Sequence, residues 1–315
     1  MLQDKKILIT GGNGFLGKNV IHSLMEQGVP LEMIFSPKSK NYDLRKEGDI
    51  KRIFQDFPAD VVIHLAAHTG GIEFYSKHPG TIFYDNLMMG LQLMEQSRLN
   101  GVNKLVLIGS GVMYPSSAEI PLKEDSIWSG YPEGLAASYG LYNRAILAQA
   151  QLYRKEFNFN SIFLIPANLY GQGDYFEFER AHVIPSLINK FDQAKKKDLP
   201  NVPIWGSGDA SREFLYVKDA ADLIIKATEV YDKSEPINLG TGKDYKIKYI
   251  AETISKLFSY EGKIVWDTSK PEGQLRRCFD ITRSKKELGE FNYVPIEEGL
   301  KKTVDFFTNS YATTI

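Results

Sequence analysis

Three glycines spaced Gly11-x-x-Gly14-x-x-Gly17 follow directly on an apolar run that ends at Thr10. Glycine lets a backbone take positive φ and approach a pyrophosphate closely. The helix that starts after such a turn offers free N–H donors and a partial positive charge. A plain tight turn has no need of a strand before it and a helix after it, so the pattern is read as a dinucleotide site built by Thr10, Gly11, Gly14, Phe15, Leu16 and Gly17. NAD-preferring sites place a carboxylate at the end of the second strand to hold the ribose hydroxyls. Here that place reads Phe35-Ser36-Pro37-Lys38-Ser39-Lys40, with two cations and no acid. A 2′-phosphate suits Ser36 and Lys38, so NADP(H) is expected over NAD(H); the competing reading makes Lys38 and Lys40 solvated loop charges.

The elements that must hold this turn alternate. Strands are expected at Lys6–Thr10, Glu32–Phe35, Val61–Leu65, Leu105–Gly109 and Ile162–Ile165, with helical patterns at Lys18–Gln27, Asp49–Phe57, Ile82–Leu99 and Tyr139–Phe157. The strand runs are apolar throughout, as in strands buried on both faces, and the alternation signals a parallel sheet covered by helices. The fold class expected is α/β, a Rossmann-type doubly wound parallel sheet. Beyond Tyr170 the regularity weakens and Gly, Pro and aromatics become common. A cofactor domain over 1–170 is therefore expected, with a return near 212–231 and a smaller, mainly substrate-binding domain over 171–315. Ligands of open α/β sheets sit at the carboxyl ends of the strands, where the second domain would close.

A chain of 315 residues with 43% hydrophobic and 24% charged residues is ordinary for a globular protein with a sizeable core. The net charge of −1 offers no global field for nucleic acid or an anionic membrane. The single cysteine, Cys278, excludes an intramolecular disulfide, and no metal site is expected. No secretory leader or membrane-spanning stretch is apparent, and a cytoplasmic location is expected.

Several unusual strings resemble the GDP-L-fucose synthase family of the extended short-chain dehydrogenase/reductases. They include His64-Leu-Ala-Ala67 with Gly70-Gly-Ile72, Phe83-Tyr-Asp-Asn86, Met113-Tyr-Pro115, Asn168-Leu-Tyr-Gly171 and His182-Val-Ile-Pro185. Trp205-Gly-Ser-Gly208, Arg212-Glu-Phe-Leu215, Asn238-Leu-Gly-Thr-Gly242 and Ser269-Lys-Pro271 extend the likeness over almost the whole chain. The resemblance implies reduction and epimerisation of a GDP-linked 4-keto-6-deoxy sugar. It also implies cofactor contacts at Asp43, Leu44, Leu65, Ala66, Ala67, Asn168 and Leu169.

By the same resemblance, Ser110 and Tyr139 are the serine and tyrosine that bind and protonate the carbonyl oxygen as hydride arrives. The family's lysine, four residues after the tyrosine, is Asn143 here, and the epimerase cysteine, two after the serine, is Val112. His182 matches the epimerase histidine. Lys190, Trp205, Arg212 and Lys270 fall where relatives hold the nucleotide sugar; Lys190 and Trp205 read equally well as ordinary surface or packing residues. The leading reading is a reductase of a 4-keto sugar nucleotide with epimerase function reduced, absent or rerouted through His182. A nucleotide-sugar 4-epimerase or dehydratase that keeps its cofactor, and a cofactor-binding scaffold or regulatory subunit without turnover, stay open. Relatives pair helices corresponding to Ile82–Leu99 and Tyr139–Phe157 across a homodimer, and Ile146, Leu147 and Leu152 serve either that seam or the core.

Overall fold

The computed structural model of the protein describes residues 1–70, 72–177, 181–269 and 274–310. The first half contains β1 (Ile7–Thr10), α1 (Phe15–Glu26), β2 (Ile34–Phe35), α2 (Glu47–Asp56), β3 (Val61–His64), α3 (Ile72–Lys77), α4 (Pro79–Leu99), β4 (Lys104–Ile108), α5 (Ala137–Phe157) and β5 (Ser161–Pro166). The second contains β6 (Asn168–Tyr170), α6 (Val183–Lys196), β7 (Asn201–Trp205), β8 (Ser211–Tyr216), α7 (Val217–Val230), β9 (Ile237–Leu239), β10 (Asp244–Lys246), α8 (Ile247–Leu257), β11 (Lys263–Asp267), β12 (Arg276–Arg277), α9 (Thr282–Leu288) and α10 (Ile296–Ser310).

Six strands form one parallel sheet in the order β2-β1-β3-β4-β5-β9. Strands β1 and β3, apolar up to Thr10 and His64 at their ends, are buried along their whole length, which is why they lack alternation. Chain direction across the sheet reverses beside β1, so a crevice opens where the carboxyl ends of β1 and β3 part. The expected strand over Glu32–Phe35 is shorter: Pro30 leads into a single 3₁₀ turn at Leu31–Met33, and pairing with β1 begins only at Ile34. This edge strand is half-buried and has one partner, so little holds its first residues extended.

Residues Ser211–Tyr216 stay in a second sheet, where β8 pairs with β6, β10 and β12. The chain rejoins the first layer through α7, which packs on α1, and through β9 beside β5. Two apolar clusters result. One surrounds the six-stranded sheet; the other gathers Phe176, Ile188, Phe191, Phe214, Ile254 and Phe307. Glu213 ties the edges together: its buried carboxylate accepts the backbone N–H groups of Gly242 at 2.8 Å and Phe279 at 2.7 Å.

Candidate active site

A cleft of about 1150 Å³ lies at the carboxyl ends of β1, β3, β4 and β5 and is closed on its far side by β8, β12 and the start of α6. Its floor is the glycine turn. Gly11 has φ +70°, and a Cβ there would come 2.6 Å from the Ala66 nitrogen; a Cβ on Gly17 would come 2.5 Å from the Gly12 Cα. No side chain caps the amino terminus of α1, and no acid occupies its first turn. The turn thus leaves N–H donors facing a cavity free of bulk, which fits a pyrophosphate.

Of the residues expected around the cofactor, Gly11, Gly14, Phe15, Leu16, Gly17, Lys38, Asp43, Leu44, Leu65, Ala66, Ala67, Asn168 and Leu169 line this cleft. Two do not. Thr10 is fully buried beneath the turn, where its hydroxyl shares a 2.7 Å hydrogen bond with His64 Nδ1, tying β1 to β3. Burial pulls the His64 pKa down to about 4, so that ring is neutral. Ser36 lies behind the turn and accepts a long hydrogen bond of 3.4 Å from Asn13 Nδ2. The sequence reading did not single out Arg45, which stands at this end of the cleft. Its guanidinium engages Asp43 at 2.8 Å, holding that carboxyl at about 2, and reaches the buried Asp85 at 3.3 Å. Lys38 and Lys40 line the wall beside it.

Ser110 follows β4 and starts the 3₁₀ turn Gly111–Met113; Tyr139 sits in the first turn of α5; both face the cleft. The Tyr139 ring meets Tyr142 edge-on at 4.8 Å and Tyr75 at 5.6 Å. Burial pushes its phenol pKa up, partly offset by the nearby Tyr142 and Thr69 hydroxyls. Asn143 is 1% exposed and does not reach the main cleft. Its Nδ2 donates to the Tyr139 carbonyl oxygen at 2.7 Å, and it borders a separate pocket of about 40 Å³ with His64, Tyr142 and Ile146. Arg144 points elsewhere, donating to the Met113 carbonyl at 2.7 Å and the Gly130 carbonyl at 2.6 Å, so it braces the loop after Ser110.

His182 is the residue before α6 and lines the far wall with Val183 and Ile184. Its surface is open to the cleft, but the surrounding protein displaces enough bulk water to hold its pKa below the usual value. Val112 lines the cleft in the expected cysteine's place. Cys278 also reaches the wall, but burial pushes its thiol up to about 12, so no thiolate forms near neutrality. Asp174 is a buried carboxyl in the wall; Oδ1 accepts from Tyr175 N at 2.8 Å, Oδ2 has no partner among the described residues, and burial raises its pKa to about 7.

Of the residues expected on the sugar nucleotide, Arg212 lines the cleft. Arg277, which belongs to a stretch that the family uses near the nucleotide but was not itself singled out in the sequence, lines it too, and burial together with the charge of Arg212 lowers its pKa to about 10. Two guanidinium groups facing one cavity form a site for a doubly charged anion. Lys190 is not at the cleft: the helix turns it toward β7, and its ammonium donates to the Pro203 carbonyl at 2.8 Å. Trp205 is also away from it, 65% exposed at the end of β7, because the β7–β11 pair runs along the outside of the second layer. Lys270 lies outside the described residues. Among the described residues no cluster of His, Cys, Asp and Glu is arranged to hold a metal ion.

The pattern of the NAD dependent epimerase/dehydratase family matches residues 7–240. A GDP-L-fucose synthase of Sinorhizobium fredii is 33% identical, covering 99% of this chain and 98% of the relative. A GDP-L-fucose synthetase from Naegleria fowleri, solved bound to NADP, superposes with a TM-score of 0.90 at 30% identity over 99% of this chain and 95% of that one. A GDP-mannoheptose C4 reductase from Campylobacter jejuni, solved with NADP bound, gives 0.89 at 28% identity over 98% of this chain and 100% of that one.

Proposed function

The chain belongs to the NAD dependent epimerase/dehydratase family, and from that premise we propose that it is an NADP(H)-linked reductase of a GDP-linked 4-keto sugar. The observation that carries this reading is one cleft holding Ser110 and Tyr139 between an uncapped glycine turn and two arginines. The turn holds the cofactor pyrophosphate and Lys38 its 2′-phosphate. Arg212 and Arg277 hold the sugar diphosphate at the other end. When bound, the dihydronicotinamide supplies the hydride that reduces the sugar carbonyl.

Ser110 donates a hydrogen bond to the carbonyl oxygen, and Tyr139 gives that oxygen its proton. The raised phenol pKa keeps Tyr139 protonated at neutrality, the form a reductase needs. Relatives include enzymes named as fucose synthases and one named as a C4 reductase. The Val112 side chain cannot exchange protons, which supports reduction as the main activity, with His182 as the candidate epimerising base.

Assembly follows as part of the same proposal: a homodimer through the outer faces of α4 and α5. Ile146 and Leu147 are buried in the core, whereas Leu152 is 61% exposed and free to serve a seam. Light scattering should give twice the 35.6 kDa chain mass, and the monomer mass would remove the dimer. We place the protein in the cytoplasm, a compartment that suits its buried thiol; among the described residues no helix is long and apolar enough to cross a membrane.

The test is NADPH oxidation followed optically with GDP-, UDP- and dTDP-linked 4-keto-6-deoxy sugars. Turnover with the GDP-linked substrate is expected. No oxidation with any of them, despite tight NADPH binding, would overturn the reading in favour of a scaffold.

A further inference from the structure

Removing the lysine leaves a physical problem at Tyr139. As the phenol gives up its proton, negative charge develops on its oxygen inside a largely dry site, and an isolated charge there is costly. The family arrangement answers with an ammonium; here Asn143 is neutral, and its amide is engaged with the Tyr139 carbonyl.

Two paths lead away from the Tyr139 hydroxyl. One passes through Tyr142 to Asn143, both buried, and ends at the 40 Å³ pocket beside His64. That ring is kept neutral by burial and its Nδ1 is taken by Thr10, so this path ends without a proton source. The other passes through Thr69, whose hydroxyl is hydrogen-bonded to the Tyr75 hydroxyl. Either oxygen of that pair can be the donor, as a relay requires. Tyr75 sits on α3, half-buried, with Thr69 and Tyr139 on the wall of the main cleft, and its ring contacts Tyr139 edge-on. Thr69 is exposed and Tyr75 half-buried, so the hydrogen-bonded pair opens onto the water of the cleft.

We propose that Thr69 and Tyr75 form a proton relay that refills Tyr139 during reduction, doing by proton movement what the absent ammonium does by charge. The inference rests on the reductase reading above. In the step, hydride from NADPH forms the new C–H bond and the carbonyl π pair moves onto oxygen. The Tyr139 O–H bond breaks as the product O–H forms. Thr69 passes its proton to the Tyr139 oxygen and receives one from Tyr75, and water supplies Tyr75. NADPH is oxidised, the ketone is reduced, and no threonine alkoxide accumulates because Thr69 gives and takes one proton together. The second proton carrier thus lies on a different element from the helix where the family keeps its lysine.

The experiment measures single-turnover NADPH oxidation in mixtures of light and heavy water, with the GDP-linked 4-keto-6-deoxy sugar. For the native protein a bowl-shaped proton inventory is expected, showing more than one proton in flight. Tyr75→Phe and Thr69→Val should each slow the chemical step about a hundredfold or more, in keeping with the usual size of general acid–base contributions. KM should stay nearly constant and the inventory should straighten; Thr69→Ser should restore both rate and curvature. A Tyr75→Phe variant with native rate and a bowl-shaped inventory would overturn the relay, as would a loss confined to KM, which would make Tyr75 a sugar contact. Tyr139→Phe separates the two readings. If it is inactive while Tyr75→Phe is normal, only the relay fails; if it keeps native activity, the reductase assignment of this site fails and takes the relay with it.

Discussion

The side-chain amide of Asn143 donates to the backbone carbonyl of Tyr139 at 2.7 Å, one helical turn back, rather than reaching the cleft that the Tyr139 phenol faces. An asparagine here is therefore more than a neutral replacement: its donor is turned back on its own helix. On the proposed reading Tyr139 works with its pKa raised by burial and, among the described residues, without a cation beside its phenol.

That arrangement sets a direction and a pH profile. A phenol raised above its ordinary value of 10.0 remains a proton donor across the neutral range. Reduction should hold its rate from pH 7 to beyond pH 9, whereas oxidation, which needs the phenolate, should climb with pH over the same interval. Asn143→Lys should move the rise in oxidation to lower pH by about one unit, the scale on which a nearby charge shifts a titration. Rates in both directions between pH 6 and 10 check this; an oxidation rate flat with pH would remove Tyr139 as the base.

Cofactor choice should depend on Lys38. It lines the cleft past β2, no carboxylate occupies residues 35–40, and Arg45 is already held by Asp43 and Asp85. Lys38→Ala should weaken NADPH by about 1 kcal/mol or somewhat more, the size of one charge-assisted contact, while NADH changes little. Nicotinamide fluorescence titration reads both, and equal weakening of the two would place the 2′-phosphate elsewhere.

Proton exchange on the sugar should be slow. With Val112 inert and the Cys278 thiol pushed up to about 12, the proposed reading assigns this exchange to His182 in the cleft wall. In heavy water the 4-keto sugar nucleotide should gain little deuterium, and none with His182→Ala. Val112→Cys should speed the exchange. Rapid deuteration of both carbons flanking the keto group by the native protein would mean another residue supplies the second proton.

Asp174 makes a stability prediction. Its carboxyl rises from an ordinary 3.8 to about 7 because it is buried with one oxygen unpartnered. The folded state binds this proton more tightly than the unfolded one. Its contribution is therefore fully present below about pH 4 and is lost as pH rises through 7. Asp174→Asn should raise Tm by a few degrees at pH 8 and leave it little changed at pH 4. Parallel Tm curves for the two proteins from pH 4 to 8 would contradict this.

Much of this site is legible in the chain because its cofactor half is local. Gly11, Gly14 and Gly17 act through their spacing, and Ser110 and Tyr139 each follow a recognisable strand or open a helix. The substrate half depends on tertiary packing. Arg276 and Arg277 are adjacent and chemically alike, yet Arg276 pairs with Asp244 while Arg277 turns into the cleft. Only pairing of β12 with β8 decides between them. Lys190 shows the converse, since its place in a matching string says nothing of which helix face meets β7. Tyr75 and Thr69 carry no periodic signal, and only the loop after β3 together with α3 brings them to Tyr139.

The central claim, that Tyr139 serves hydride transfer to a sugar carbonyl, is tested most directly with NADPH deuterated at C4 of its nicotinamide. After incubation with the GDP-linked 4-keto-6-deoxy sugar, the product is read by mass and by NMR. The native protein should place deuterium on sugar C4, and Tyr139→Phe should place almost none there while still binding NADPH. Product without label at C4, or equal labelling by Tyr139→Phe, would contradict the account.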